Sequence, residues 1–267
     1  MKKKQKFTPT SILVTITFVL MVTVNALANI LPIAGITTGE VSDSFPNLFA
    51  PAGITFSIWG VIYLLLGLYT LYQLGLFQKE NPTDKALLAQ IGSIFAFSSL
   101  INSVWIFCWH YQLILFSLVL MLFILLSLVV IHLTLRKTAM TGKEWFFIRL
   151  PFSIYFGWIT VATIANVTAL LVTMGWSGWG LSEAAWTSTL IIIGTLIGIT
   201  TAIQGRDIPY VATLIWAFAG ILIKHTSEAA FNNAYPTVIA TVIGALVVLT
   251  ATLVLILFMK RKTTAPL

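Results

Sequence analysis

Charge is what this chain most conspicuously lacks where it is hydrophobic. No Asp, Glu, Lys or Arg falls inside any of eight long apolar runs, and charged residues make up 9% of the 267 positions. A charged side chain at mid-bilayer costs about 3 kcal/mol or more and is kept there for function, so ion-coupled transporters, pumps and intramembrane hydrolases normally show one. The absence argues against those classes. Cysteine is scarce too: with Cys108 alone no intrachain disulfide and no thiolate metal cluster can form, and the redox compartment is left open. The chain contains no H-E-x-x-H, no paired intramembrane Asp, no nucleophile elbow and no phosphate-cradling glycine loop. It therefore reads as a non-enzyme with no metal site and no required cofactor. His132, near one end of the fourth run, and His110, at the turn after the third, read as interfacial or hydrogen-bonded helix-end histidines rather than ligands.

What is present is apolar length. The runs are Ser11–Leu31, Ala52–Phe77, Ala86–Trp109, Leu113–Leu135, Leu150–Met174, Ala184–Ile203, Pro209–Ile223 and Pro236–Met259. Most reach the ~20 residues that cross a hydrocarbon core as a helix. Pro209–Ile223 is short, but counting it as a span keeps Lys260, Arg261 and Lys262 with the other cations. On that count 14 of the 15 Lys and Arg fall in alternate gaps and tails, leaving Lys224 alone on the other side, together with Glu40, Asp43, Glu183 and Glu228. The positive-inside rule then predicts an all-α, eight-span protein of a plasma or inner membrane with both termini cytoplasmic. The net charge of +7 is accounted for by these span-end cations, which meet anionic lipid headgroups, so no nucleic-acid partner is implied. Lys2–Lys6, an apolar stretch and Ala26-Leu27-Ala28 imitate a signal peptide, yet the run Ser11–Leu31 exceeds a usual signal core and its retention as a span is expected.

Aromatic and amide side chains decorate these runs. Nine Trp occur. Asn102, Trp105 and Trp109 share one face of the third helix; Tyr155, Ala162 and Asn166 share a face of the fifth, with Trp158 beside it; Phe56, Trp59 and Tyr63 repeat the pattern on the second. Such stripes suit a cavity for a flat, largely apolar ligand held by stacking and a few hydrogen bonds. They equally suit helix packing, with each Asn tying two helices together. Trp176, Trp179 and Trp186 are assigned to the interfacial aromatic belt.

At these residues the chain resembles the TspO/MBR family of tryptophan-rich sensory or translocator proteins. The stretch from Phe49-Ala50-Pro51 to Trp59 and Tyr63 looks like the family's proline-led W-x-x-x-Y helix entry. Asn102-Ser103-Val104-Trp105 is similar to its L-N-x-x-W, and Trp158 through Ala162-Thr163-Ile164-Ala165-Asn166 to its W-x-x-F-A-T-x-L-N. The chain differs from the pattern at Ala50, Gly53 and Ile106. The resemblance covers about residues 10–174 and implies a five-helix bundle (1–175) whose cavity takes a tetrapyrrole such as porphyrin or haem, or a sterol-like lipid. Trp59 and Tyr63 would then be cavity walls, Asn102 and Trp105 a polar and stacking pair, and Ala162 and Asn166 the fifth-helix contact. Sensory or regulatory binding is the implied function, with transport of the same ligand, or a ligand-free scaffold, as alternatives.

Residues 176–267 add three spans and a basic tail. On the first of them Gly194, Gly198 and Ala202 form a small-xxx-small ladder, the kind that lets backbones approach closely. It could receive the chain's own helices or the same face of a homodimer partner.

Overall fold

A computed structural model describes residues 7–31, 33–78 and 83–259. The basic residues Lys2–Lys6, Lys79 and Lys260–Lys262 lie outside them. All described secondary structure is helical, and eight helices are long and apolar enough to cross a membrane. In chain order the elements are α1 (Pro9–Ile30), α2 (Thr38–Asp43), α3 (Ile58–Gln73), α4 (Lys85–His110), α5 (Ile114–Arg136), the single turn α6 (Gly142–Glu144), α7 (Leu150–Thr173), α8 (Glu183–Gly205), α9 (Ile208–Thr226) and α10 (Pro236–Phe258). The short seventh run is a helix of 19 residues.

Local sequence explains where these helices begin. Pro9, Pro209 and Pro236 sit in first turns, where a missing N–H costs nothing. Thr8, Thr37 and Thr141 each head a reciprocal capping box, with Ser11, Glu40 and Glu144 respectively. Asp84, Ser182 and Asp207 cap α4, α8 and α9. Arg206 turns the chain out of α8 with φ +48°, so only Arg206 and Asp207 separate α8 from α9.

Five helices close a ring: α1 packs on α4, α4 on α5, α5 on α7, α7 on α3 and α3 on α1. Helices α8, α9 and α10 pack on one another, and α9 lies along α7. That approach is close. A Cβ at Gly157 of α7 would stand 2.8 Å from the backbone carbonyl oxygen of Tyr210 in α9, a contact no side-chain rotation relieves. The ladder on α8 is occupied within the chain: Gly194 faces Ile164 and Phe218, Gly198 faces Leu214 and Leu249, and Ala202 is fully buried. That arrangement leaves no open stripe there for a second copy. Away from these seams the helices expose Ile12, Ile16, Phe116, Leu126, Leu196 and Val247, the surface expected against hydrocarbon chains, where apolar residues lose nothing by facing out.

At the end of the bundle that carries Arg136, Arg149 and Arg206, a polar cluster fastens the ring to the added helices. Asp207 is almost wholly buried. It accepts hydrogen bonds from the Ser153 hydroxyl at 2.7 Å and the Tyr210 N–H at 3.2 Å, and lies 3.4 Å from His132 Nδ1. Arg149 donates to the Gly205 carbonyl, and Arg136 to Gln204. His132 is thus a helix-end residue within ion-pair distance of Asp207, and it faces inward onto the α8–α9 turn.

Candidate functional site

A cavity opens among α3, α4, α5 and α7 at the opposite end of the ring, under the segment joining α1 to α3. Its side walls are indoles. Trp59 stacks on Tyr63 at 5.4 Å and meets Trp105 and Trp158 at 6.5 and 6.1 Å; Trp105 stacks on Trp109 at 5.9 Å; Phe56 meets Trp158 edge-on at 5.7 Å. Met121 of α5 and Val161, Ala162, Ala165 and Asn166 of α7 complete the lining below, and Thr38, Ser42 and Pro51 above. The space is nearly shut, with about 40 Å³ free for water.

Polar atoms in this lining are the informative feature. Among the described residues, Trp105 Nε1, Trp158 Nε1 and Asn166 Oδ1 are buried and have no hydrogen-bond partner. Buried polar groups are ordinarily paired, because leaving one unmade costs about 1–3 kcal/mol. Here the residues that carry two such donors and one such acceptor all line a single cavity. The rest of Asn166 is satisfied: its Nδ2 donates to Ser117 of α5 at 2.7 Å. Trp109 Nε1 is also satisfied, by the Thr38 carbonyl at 3.2 Å.

Of the six residues singled out in the sequence, Trp59, Trp105, Ala162 and Asn166 line this cavity, whereas Tyr63 and Asn102 do not. Tyr63 stands behind Trp59. Asn102 is fully buried between helices, accepting from Asn25 Nδ2 of α1 at 2.8 Å and donating to the Tyr155 hydroxyl of α7 at 3.3 Å. Asn102→Leu should therefore lower stability in detergent, by about 0.6–1.7 kcal/mol for each intramembrane hydrogen bond lost. Thermal unfolding run beside ligand titration checks this, since a variant of unchanged stability and reduced affinity would place the amide at the ligand instead. Trp158 and Met121 belong to the lining although sequence placed the first beside the face and did not flag the second. For Trp158 the signal was its position four residues before Ala162; for Met121 there was none.

The cavity's roof is built by side chains that grip backbone. His110 bridges two points of it: Nδ1 lies 2.9 Å from the Ile33 carbonyl and Nε2 3.2 Å from the Thr38 hydroxyl. A carbonyl only accepts, so Nδ1 carries the proton, and in the neutral ring Nε2 accepts from Thr38. Asn47 Oδ1 accepts the N–H groups of Phe49 and Ala50, holding the chain as it enters Pro51. Glu40, on the exposed face of α2, receives the Thr37 N–H at 2.6 Å. Backbone and side-chain hydrogen bonds from Thr37 hold its carboxyl below the usual carboxylate range. A group so depressed stabilises the cap at neutral pH and loses that contribution as pH falls through its folded value.

The added helices grip the same roof. The Ala52 N–H donates to the Gly220 carbonyl at 3.0 Å, Trp216 Nε1 to the Thr55 carbonyl at 3.0 Å, and His225 Nε2 to the Leu48 carbonyl at 2.9 Å, while Lys224 pairs with Asp43 at 2.5 Å. Thr55 is pressed so closely on Gly220 that a Cβ there would stand 2.0 Å from its hydroxyl oxygen.

Compared with known proteins, the chain matches a family model described as TSPO-like protein over residues 11–257, a region that includes α8, α9 and α10. No curated protein and no solved structure matches it.

Proposed function

The chain belongs to the TSPO-like family of membrane proteins, and from that premise we propose that it is a binding protein for a planar, largely apolar ligand whose edge carries both hydrogen-bond acceptors and a donor. The observation that carries the reading is that Trp105, Trp158 and Asn166, whose Nε1, Nε1 and Oδ1 atoms are buried without a partner among the described residues, all line one indole-walled cavity. Stacked rings supply apolar area, and the three polar atoms fix orientation. Tetrapyrroles and sterol-like lipids, the ligand classes implied by the family resemblance, both offer that chemistry. Neither fits the roughly 40 Å³ now free, since pockets for drug-sized ligands run to about 300–1,000 Å³. Binding thus requires the roof segment or the indoles to move apart. We read the protein as a receptor rather than an enzyme, because the cavity presents donors and an acceptor but no titratable group.

Titration of the purified chain with protoporphyrin, haem and cholesterol, followed by tryptophan quenching, tests this. Saturable quenching that falls when Asn166 is replaced by Leu is expected. No quenching by any of the three would leave a scaffold of packed indoles as the better account.

For orientation, the charge asymmetry supports a plasma or inner membrane with the Arg136–Arg149 end in the cytoplasm. The eight spans then put both chain ends there. A reporter fused after Leu267 should be active only on the cytoplasmic side; activity on the outer side alone would invert the assignment.

A further inference from the structure

A second space lies at the same end of the molecule as the roof, on the seam between the ring and α8, and the ligand cavity does not account for it. It encloses about 230 Å³ between Leu48 of the roof segment, Leu171 and Val172 of α7, Trp176 and Trp186, with Glu183 in its lining. The loop that forms it is held in an unusual backbone. Gly175, Gly178 and Gly180 have positive φ, and so does Trp179, at +53°. Trp179 itself is exposed and outside the pocket, and this backbone folds the loop back between α7 and α8. The result is three indoles set nearly at right angles: Trp176 to Trp186 at 4.5 Å and 69°, Trp176 to Trp179 at 5.3 Å and 82°, and Trp179 to Trp186 at 6.1 Å and 79°. They stand too close to admit anything between them. Trp176 and Trp186 both line the pocket.

Two further groups of this pocket are uncommitted. Trp186 Nε1 is a buried donor with no partner among the described residues. The Glu183 carboxylate forms no ion pair among them, and Lys224, the one Lys or Arg at this end among the described residues, is taken by Asp43. Indole faces attract cations, a carboxylate does so more strongly, and an indole N–H seeks an oxygen. The apolar strip of Leu171 and Val172 suits alkyl groups. We propose that this seam pocket is a separate binding site for an organic ammonium group with a neighbouring oxygen, as in an amino alcohol, carried by a free amine or by the headgroup of a zwitterionic lipid. Its volume fits such a group and is too small for a macrocycle.

The test uses the full chain labelled with fluorotryptophan in nanodiscs of phosphatidylglycerol, its fluorine resonances assigned by single Trp→Phe variants. Choline and ethanolamine are titrated in, and a parallel set of nanodiscs contains phosphatidylethanolamine. The Trp176 and Trp186 resonances should move saturably while those of Trp105 and Trp158 stay in place, which also separates this site from the ligand cavity. Glu183→Gln, an exposed helix-start change, should weaken the response by about 1.4-fold to fivefold, the span of an exposed ion pair. Movement with the free amines identifies a soluble ligand, and movement only with phosphatidylethanolamine identifies the headgroup. Resonances that do not move in either series, or that move equally in Glu183→Gln, would overturn the proposal.

Discussion

Asp207→Ala should destabilise the protein by about 2–4 kcal/mol, measured by unfolding in detergent. The carboxylate caps α9 through the Tyr210 N–H and accepts from Ser153. A lost cap costs about 1 kcal/mol, and a stranded Ser153 hydroxyl and His132 ring add about 1–3 more. Asp207→Asn keeps one oxygen, enough for the Tyr210 N–H, and replaces the other by an amide from which the Ser153 hydroxyl can accept, so it should lose less. If Asp207→Ala costs less than about 0.5 kcal/mol, the range of an ordinary surface substitution, the α8–α9 turn is solvated and the ring is fastened elsewhere.

The largest effects on binding should come from removing single N–H groups while keeping an aromatic ring. Trp105→Phe and Trp158→Phe each delete one orphaned donor. If those donors meet ligand acceptors, each change should weaken binding about tenfold, since a hydrogen bond of about 1.4 kcal/mol corresponds to that factor. Stability should change little by comparison, because neither N–H has a protein partner to lose. Titration of both variants with every ligand that binds the parent chain decides it. Unaltered affinity throughout would confine the ligand's contacts to ring faces or to another site.

Much of the architecture was legible because it rests on properties each residue carries by itself. Eight apolar runs and alternating charge specify spans without knowledge of any partner, and the W-x-x-x-Y and A-T-x-x-N spacings led to the family that the comparison supports. Faces were legible as well: Trp105, Ala162 and Asn166 reach one cavity because helical periodicity puts them on sides that meet. Partners were not. Asn102 shares its face with Trp105 but sits one turn deeper, where the deciding fact is Asn25, 77 residues away. Nothing in the sequence set Asp207 apart, and only the packing of α9 along α7 buries it. The ladder of Gly194, Gly198 and Ala202 signalled close approach correctly in kind, while the identity of its neighbours, Phe218 and Leu214 of α9 among them, depends on how three helices fold back together.

The grip of α9 on the roof has a consequence for biogenesis. Every residue lining the indole-walled cavity has been synthesised once the ribosome passes Asn166, and domains generally fold as units during synthesis, N-terminal parts first. Yet the Leu48 and Thr55 carbonyls, the Ala52 N–H and Asp43 find their partners in Gly220, Trp216, His225 and Lys224. A nascent chain therefore carries a complete set of cavity walls beneath an unfastened roof until its seventh span has inserted. The roof is fastened late, as one of the last steps in the protein's assembly.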